Sequence, residues 1–376
     1  MAIDWWLRPG PRRPAPSFFS DAELDEVRTF YAAMSGATPT PLHRLPGLAA
    51  KLGIEDVLVK DESGRFGLPA FKIVGARYAI GKLVEQRGGR LRHLACATAG
   101  NHGRAVAHAA HGLGLEAHVY VPVGTTPARV EALRSEGAHV VVTSVEYDDT
   151  VRLMAEDAAE SGWTIVSDTA WPGYEQIPRW IMAGYTRLLE EAATGWGARP
   201  PDILIVQAGV GSLAGAVAGW LVARFGDQRP HLVTAEPAGA ACVLESLRAG
   251  RLASLASCAP TAMVGLRCGE VSPLAWTALE PVVDAAIAIG DDLATEAIDR
   301  LEHPLGSDPR ICSGASGAAG VAALLALSRD PALAELRGSL GIDDRTRVVT
   351  LVTEGDGSPP TSASRSGPPE RLGEPG

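Results

Sequence analysis

A reactive amine has few places to be in this chain. Its 34 basic side chains include only four lysines, Lys51, Lys60, Lys72 and Lys82, all toward the amino-terminal end. Lys72 has the most suggestive surroundings. The apolar run Val57-Leu58-Val59-Lys60 gives way to Asp61-Glu62-Ser63, then to a glycine- and proline-bearing stretch over 64–70, and then to Phe71-Lys72-Ile73-Val74-Gly75-Ala76. That order reads as a buried strand, a loop, and a helix starting at Lys72 or just after it. A lysine at such a junction can turn its amine into the crevice at the carboxyl ends of the strands, where open α/β sheets hold cofactors. The positive helix end and exclusion of bulk water favour the neutral amine that imine formation needs. A solvated lysine at a helix start is the competing reading of this segment alone. Lys51 and Lys82 flank ordinary helical faces and read as solvated charge.

Three further segments could do chemistry. In Val206-Gln207-Ala208-Gly209-Val210-Gly211-Ser212-Leu213-Ala214-Gly215 a strand runs into a glycine-rich turn and an Ala/Val-rich helix. Backbone amides in such a turn, with the helix's positive end, can close on a phosphate. A dinucleotide competes for this reading, because Glu236 ends the next strand, His231–Ala235, where a ribose-binding acid would stand. The Gly-x-Gly-x-x-x-Gly spacing and mid-chain position count against it, and the choice stays open on this segment alone. Thr98-Ala99-Gly100-Asn101-His102 precedes the helix expected over Ala105–Leu113, and its amides suit a carboxylate; an ordinary Asn/Gly turn is the plainer reading. Thr353-Glu354-Gly355-Asp356 closes the last strand, with a hydroxyl able to bond a ring nitrogen; a capped loop with exposed acids is the alternative.

The elements that must position these segments alternate. Apolar, β-branched stretches at Asp56–Lys60, His118–Val121, His139–Thr143, Thr164–Ser167, Ile203–Gln207, His231–Ala235 and Arg347–Thr353 are separated by Ala/Leu/Arg-rich helical ones. Strands alternating with helices predict an α/β fold built on a parallel sheet covered on both faces. Ser20 with Glu23 three residues on predicts a capped helix start. Residues 1–20, rich in proline and aromatics, read as an arm or docking segment outside the elements. Residues 357–376 are Pro/Ser/Gly-rich and expected to be disordered.

Composition narrows the class. With 376 residues, 46% hydrophobic and 21% charged, the chain can bury a large core in two lobes. A net charge of −10 argues against nucleic-acid or anionic-membrane partners. There is no signal-like amino terminus, no spanning apolar run, and no CxxC pair among five cysteines. A soluble cytoplasmic protein with buried reduced thiols and no metal site is therefore expected.

Taken in order, the segments resemble the fold-type II pyridoxal-phosphate enzymes, the tryptophan-synthase β-like family, and within it the diaminopropionate ammonia-lyases. The matching motifs are KDESGRFGLPAFK (60–72), GNHGR (100–104), YDDTVRL (147–153), DTAWPGYEQIPRWIMAGY (168–185), QAGVGSLAG (207–215), GLRCGEVSPLAW (265–276), DPRICSGASGA (308–318) and TEGD (353–356). The long DTAW…WIMAGY stretch singles out the subfamily. The resemblance implies two lobes, each with a twisted, mostly parallel sheet flanked by helices. It implies a larger cofactor-binding domain over 21–90 and 186–356 and a smaller, substrate-closing domain over 91–185.

It also implies residue roles. Lys72 would hold pyridoxal 5′-phosphate as a Schiff base, and Gly209, Val210, Gly211, Ser212 and Leu213 would cup its phosphate. Thr353 would face the pyridine nitrogen and Asn101 the 3-hydroxyl. Thr98, Ala99, Gly100, Asn101 and His102 would bind the substrate carboxylate. Asp168 would act as an acid/base. The implied reaction is α,β-elimination on L-2,3-diaminopropionate or a relative: freed Lys72 takes the α-proton, Asp168 protonates the leaving group, and a 2-oxo acid and ammonia result.

The chain departs from the family at two places. Ala99 stands where the lyases carry an aspartate expected to take the α-proton of the D-enantiomer, and Ala315 replaces an acid of a Ser-Gly-Glu-Ser-Gly run. Alanine neither moves a proton nor pairs with an ammonium. A lyase or β-replacement enzyme for another, hydroxylated or β-substituted amino acid, and a cofactor-binding protein without catalysis, are the alternatives. Cys242 and Cys268 occupy positions where the subfamily has cysteines and could pair. Analogy suggests a homodimer, with Trp5, Trp6, Phe18 and Phe19 docking on the partner.

Overall fold

The computed structural model describes residues 3–12 and 14–356. The tail expected to be disordered, 357–376, lies outside the described residues. Eleven strands are found among the described residues: β1 (Asp4–Leu7), β2 (Leu42–Arg44), β3 (Asp56–Asp61), β4 (His93–Ala97), β5 (Glu116–Val121), β6 (Ala138–Val142), β7 (Thr164–Ile165), β8 (Ile203–Gln207), β9 (His231–Pro237), β10 (Ala285–Ile289) and β11 (Arg347–Val352). Helices fill the intervals, as the alternation predicts.

The chain divides into two compact units. The first comprises the described residues of Met1–Arg65, Pro69–Phe71 and Tyr185–Pro359; the second holds Phe66–Leu68 and Lys72–Gly184. The helix Lys72–Arg87, assigned from sequence to the larger domain, therefore clusters with the smaller unit.

The first unit contains a seven-stranded sheet in the order β1-β10-β9-β8-β11-β3-β2. Its five inner strands are parallel, and β1 and β2 pair antiparallel at the edges. Strands β8 (ILIVQ) and β10 (AAIAI) are buried at every position, as unbroken apolar runs must be when both faces of a sheet are covered. The helix Ala315–Arg329 is buried from Ser316 through Leu327. It lies against β11 so closely that a Cβ on Gly320 would fall 2.1 Å from Thr350 Oγ1. No side chain fits there, so glycine sets the helix-to-sheet spacing.

The second unit contains a four-stranded parallel sheet, β6-β5-β4-β7. The helix Tyr147–Ser161 covers part of one face, packing Met154 and Ala158 against Ala95 and Tyr120.

Two expectations about the amino terminus need correction. Residues 1–20 are not free of elements, because Asp4–Leu7 forms β1 in register with Ala285–Ala288. The segment is also stitched down: Arg12 pairs with buried Asp284 at 2.9 Å, and Arg8 Nε donates to the Val283 carbonyl at 2.9 Å. Phe19 is fully buried in its own chain, against Phe18 and Gly219, and is not available to dock on a partner. Ser20 forms the predicted capping box with Glu23.

Candidate active site

In the second unit, Lys72 is the first residue of its helix, and its Nζ donates to Asp168 Oδ2 in an ion pair. The amine expected to be neutral thus faces a carboxylate. Burial alone would raise Asp168, but the Lys72 charge, then His102, and the hydrogen bond from Lys72 hold it well below the ordinary carboxylate range. That depression depends on the lysine's charge. With Lys72 neutral, the largest lowering influence is gone and the carboxylate gains affinity for a proton.

The surroundings of Asp168 are tightly determined. Tyr174 OH donates to the Ile165 carbonyl and accepts from Ser167 N, both at 2.9 Å, bracing the turn that follows β7. The stack of Tyr174 on Trp171, centroids 4.0 Å apart, holds the phenol in place. Burial pushes the Cys96 thiol up to about 12, with Asp168 adding to the shift, so this cysteine is an inert core group. Tyr174 was not singled out from sequence; it lies inside the DTAW…WIMAGY stretch as one aromatic among several.

The segment Thr98–His102 follows β4. Gly100 is the N-cap of a helix running Asn101–Gly112, so Asn101 and His102 lie in its first turn and the helix begins four residues earlier than expected. No side chain caps this helix, and Gly100 N donates to Thr98 Oγ1 at 3.2 Å. An uncapped helix start offers amides to an anion. His102 is buried with Nε2 donating to the Val166 carbonyl at 2.9 Å, so its side chain serves the fold, whereas its backbone stays in the first turn.

In the first unit, β8 ends at Gln207 and the helix Ser212–Phe225 begins with Gly211 as N-cap, at φ +89°, without a side-chain cap. Gly209 and Gly211 have packed neighbours. A Cβ on Gly209 would lie 3.1 Å from Cys268 Sγ, and one on Gly211 2.9 Å from Leu279 Cδ1. Backbone alone fits this turn, and its amides and the helix dipole suit a phosphate.

Thr353 is buried just past β11, and Gln207 Nε2 reaches its Oγ1 at 2.8 Å. The amide orientation follows from its other neighbours, the carbonyls of Ser316, Gly317 and Leu351, which can only accept. Thr353 Oγ1 therefore accepts from Gln207 and keeps its own proton to donate. A neutral hydroxyl donor matches an unprotonated pyridine nitrogen. The residue before Lys72 is tied to the same strand end, because Phe71 N donates to the Thr353 carbonyl at 3.1 Å and Ala70 bridges to Glu354. Donor set and glycine turn fit pyridoxal phosphate.

The dinucleotide alternative fails on geometry. Glu236 ends β9 but is fully buried, and its two oxygens accept from Val243 N at 2.7 Å and Leu244 N at 2.8 Å at the start of the helix Cys242–Ala249. It caps a helix and has no oxygen left for a ribose.

Sequence reasoning missed a buried charge network in KDESGR. Lys60, Glu62 and Arg65 are almost completely buried with Glu191. Lys60 Nζ donates to Glu191 at 2.8 Å and to the Thr40 carbonyl at 2.6 Å; Arg65 reaches Glu62 at 2.7 Å and Glu191 at 2.6 Å. Lys60 is structural, and the network fixes the end of β3 and the loop behind it. Ala315 starts its helix, and a Cβ on the preceding Gly314 would fall 3.0 Å from Glu354 Oε1, so a carboxylate remains beside the position that lost one. Cys242 and Cys268 are free thiols in this structure; Cys242 Sγ lies 3.5 Å from the Gly209 carbonyl.

The family of pyridoxal-phosphate dependent enzymes matches residues 33–354. The chain is 40% identical over 357 residues to diaminopropionate ammonia-lyase of Escherichia coli (strain K12), covering 90% of this chain and 89% of that protein. It is 38% identical over 366 residues to the Salmonella typhimurium (strain LT2) enzyme, covering 89% of each. The crystal structure of the Escherichia coli lyase in complex with an aminoacrylate-PLP azomethine reaction intermediate superposes with a TM-score of 0.86 at 39% identity, covering 94% of both chains.

Proposed function

The chain belongs to the pyridoxal-phosphate dependent enzymes, and from that premise we propose that it is an ammonia-lyase for L-2,3-diaminopropionate, releasing a 2-oxo acid and ammonia. The observation that carries the reading is the Lys72–Asp168 pair: a helix-start amine facing a half-buried carboxylate whose ionisation is favoured by that amine. Relatives named diaminopropionate ammonia-lyase, aligned over nine-tenths of the chain, supply the substrate class.

Pyridoxal phosphate, when bound, supplies an electron sink for the pair left by the departing α-proton. The remaining work falls to the chain. Lys72 is the residue that would carry the cofactor and, once released, take the α-proton. Gly209, Val210, Gly211, Ser212 and Leu213 hold the phosphate through backbone amides. The Thr353 hydroxyl, with its proton free to donate, would suit an uncharged ring nitrogen, which favours expulsion of the β-substituent over transamination. Asn101 would face the 3-hydroxyl, and amides of Thr98–His102, at an uncapped helix start, would orient the substrate carboxylate. Asp168, paired with Lys72, would take the α-proton on from the charged Lys72, leaving the amine neutral, and deliver it to the leaving nitrogen.

Ala99 and Ala315 favour a second reading, in which the substrate carries a hydroxyl or another β-substituent instead of a second amine. Purified protein incubated with L- and D-diaminopropionate, L-serine and L-threonine separates the two by the 2-oxo acid and ammonia released. Turnover of L-diaminopropionate well above the others is expected; turnover of serine or threonine alone moves the assignment to the second reading. Lys72→Ala should remove both activity and the long-wavelength absorbance of the lysine-bound cofactor, and an unchanged spectrum would overturn the assignment of Lys72. The free thiols and the lack of any described helix long and apolar enough to cross a membrane support a cytoplasmic location. A homodimer is the proposed working form, to be checked by light scattering.

A further inference from the structure

One cluster of ligating side chains plays no part in this chemistry. It sits at the amino-terminal ends of β4, β5 and β6, whereas Thr98–His102 follows the carboxyl end of β4. Register places His93 beside Glu116 and His118 beside His139. Glu116 and His118 are two residues apart on one strand, so all four side chains leave the same face of the sheet. Three of the nine histidines of the chain meet there.

The distances are those of a ligand set. His93 Nδ1 and His118 Nε2 are 3.3 Å apart. Glu116 Oε2 is 3.5 Å from His93 Nδ1 and 3.5 Å from His139 Nε2. The ligand atoms of His93, Glu116 and His118 all lie within 4.8 Å of one another. A tetrahedral zinc ion with Zn–N bonds of about 2.0–2.1 Å spaces neighbouring donors about 3.3–3.4 Å apart. Two of the three separations in the triad, 3.3 and 3.5 Å, are thus close to the edges of such a tetrahedron. Trp163 stacks on His118 with centroids 3.7 Å apart and planes 5° from parallel, fixing the imidazole plane from behind.

We infer that this patch binds a divalent transition ion of the zinc class, with His93, Glu116 and His118 as ligands; exposed His139, 3.5 Å from Glu116 but outside the compact set, completes the shell by a change of rotamer. Imidazole and carboxylate together suit zinc, nickel or copper, not calcium or magnesium, which seek all-oxygen shells. An ion here joins three neighbouring strands through their side chains and ties the open end of the smaller sheet. The metal-free account of the same distances is a His93–His118 hydrogen bond with surface contacts of Glu116 to His93 and His139, and titration with zinc separates the two.

Chelator-stripped holoenzyme titrated with zinc chloride by calorimetry tests the assignment. One equivalent per chain is expected in the wild type, with affinity at least ten-fold weaker in His93→Asn and in Glu116→Gln, both at accessible positions away from the cofactor residues. Zinc should raise the melting temperature of the wild type and not that of the double variant, whose cofactor absorbance reports an intact fold. Zinc bound equally by wild type and variants, and lost on thiol alkylation, would place the ion on the cysteines and overturn the proposal; so would no binding to the wild type.

Discussion

Replacing Asp168 by asparagine isolates what this carboxylate does to the leaving group. Asparagine keeps the shape and an oxygen to accept from Lys72, and it gives up the titratable proton and the negative charge. Half-buried beside Lys72 and held low by that amine, Asp168 gains affinity for a proton when Lys72 is neutralised. A positioned acid contributes about 10²–10⁴ in rate, which corresponds to about 3–5 kcal/mol of barrier. kcat for L-diaminopropionate, followed by reduction of the released oxo acid in a coupled assay, should fall by that factor in Asp168→Asn. β-Chloro-L-alanine provides the control, because chloride departs without a proton; its kcat should fall by less than about ten-fold. The contrast holds whether Asp168 delivers a proton to the amine or steadies an ammonium already formed, since both serve a nitrogen leaving group alone. Equal losses on the two substrates would refute the role, showing that Asp168 acts through the α-proton or the fold. Unchanged cofactor absorbance in the variant is needed for the comparison, and Lys72 remains in place to supply it.

Other perturbations read other parts of the molecule. Glu191→Ala leaves Lys60 and Arg65 buried with half their counter-charge, and should cost about 3–5 kcal/mol in a urea or thermal unfolding measurement. Glu236 is raised to about 8 by burial, against the pull of the Val243 and Leu244 amides. Its folded pKa lies above the unfolded one, so its stabilising contribution is complete below the ordinary glutamate range, about 4.3, and is lost as pH rises through about 8; Glu236→Gln should flatten the stability–pH curve between those limits, and an equal slope in both proteins would contradict it. Ala99→Asp should confer measurable D-diaminopropionate turnover while L-turnover changes by less than about ten-fold, and an unaltered preference for the L-isomer would count against a second base at this position.

The parts of the fold readable in the sequence are those with a local cause. Ile203–Gln207 is an unbroken apolar run because both its faces are covered, and Ser20 with Glu23 caps a helix through contacts three residues apart. Lys72 and the Gly209–Leu213 turn stood out because a strand, a loop and a helix follow one another along the chain. The rest depends on distant partners. Asp4–Leu7 is a strand because Ala285–Ala288 lies beside it, and four residues among prolines carry no period of their own. Lys60 reads only as the end of a strand and Glu62 and Arg65 as a polar loop, because Glu191, the partner shared by Lys60 and Arg65, is more than a hundred residues away. The helix at Asn101 begins in Gly-Asn-His-Gly, which has poor helix propensity; a Cβ on Gly103 would fall 2.9 Å from the Thr98 carbonyl, so close packing rather than propensity decides that start.

The two alanines do not remove acid from the chain's chemistry in equal measure. At 315 a carboxylate still lies nearby, because Glu354, part of the TEGD run shared with the family, brings an oxygen against Gly314 at the start of the same helix. At 99 the segment Thr98–His102 contains no acid, and its one titratable side chain, His102, is buried with a nitrogen bonded to the Val166 carbonyl. A base acting from that segment is therefore missing, whereas Lys72 and Asp168 remain paired in the same unit. The asymmetry predicts a particular change of specificity: retention of the amine-bearing substrate and of chemistry on the enantiomer that Lys72 serves, with loss of the other enantiomer.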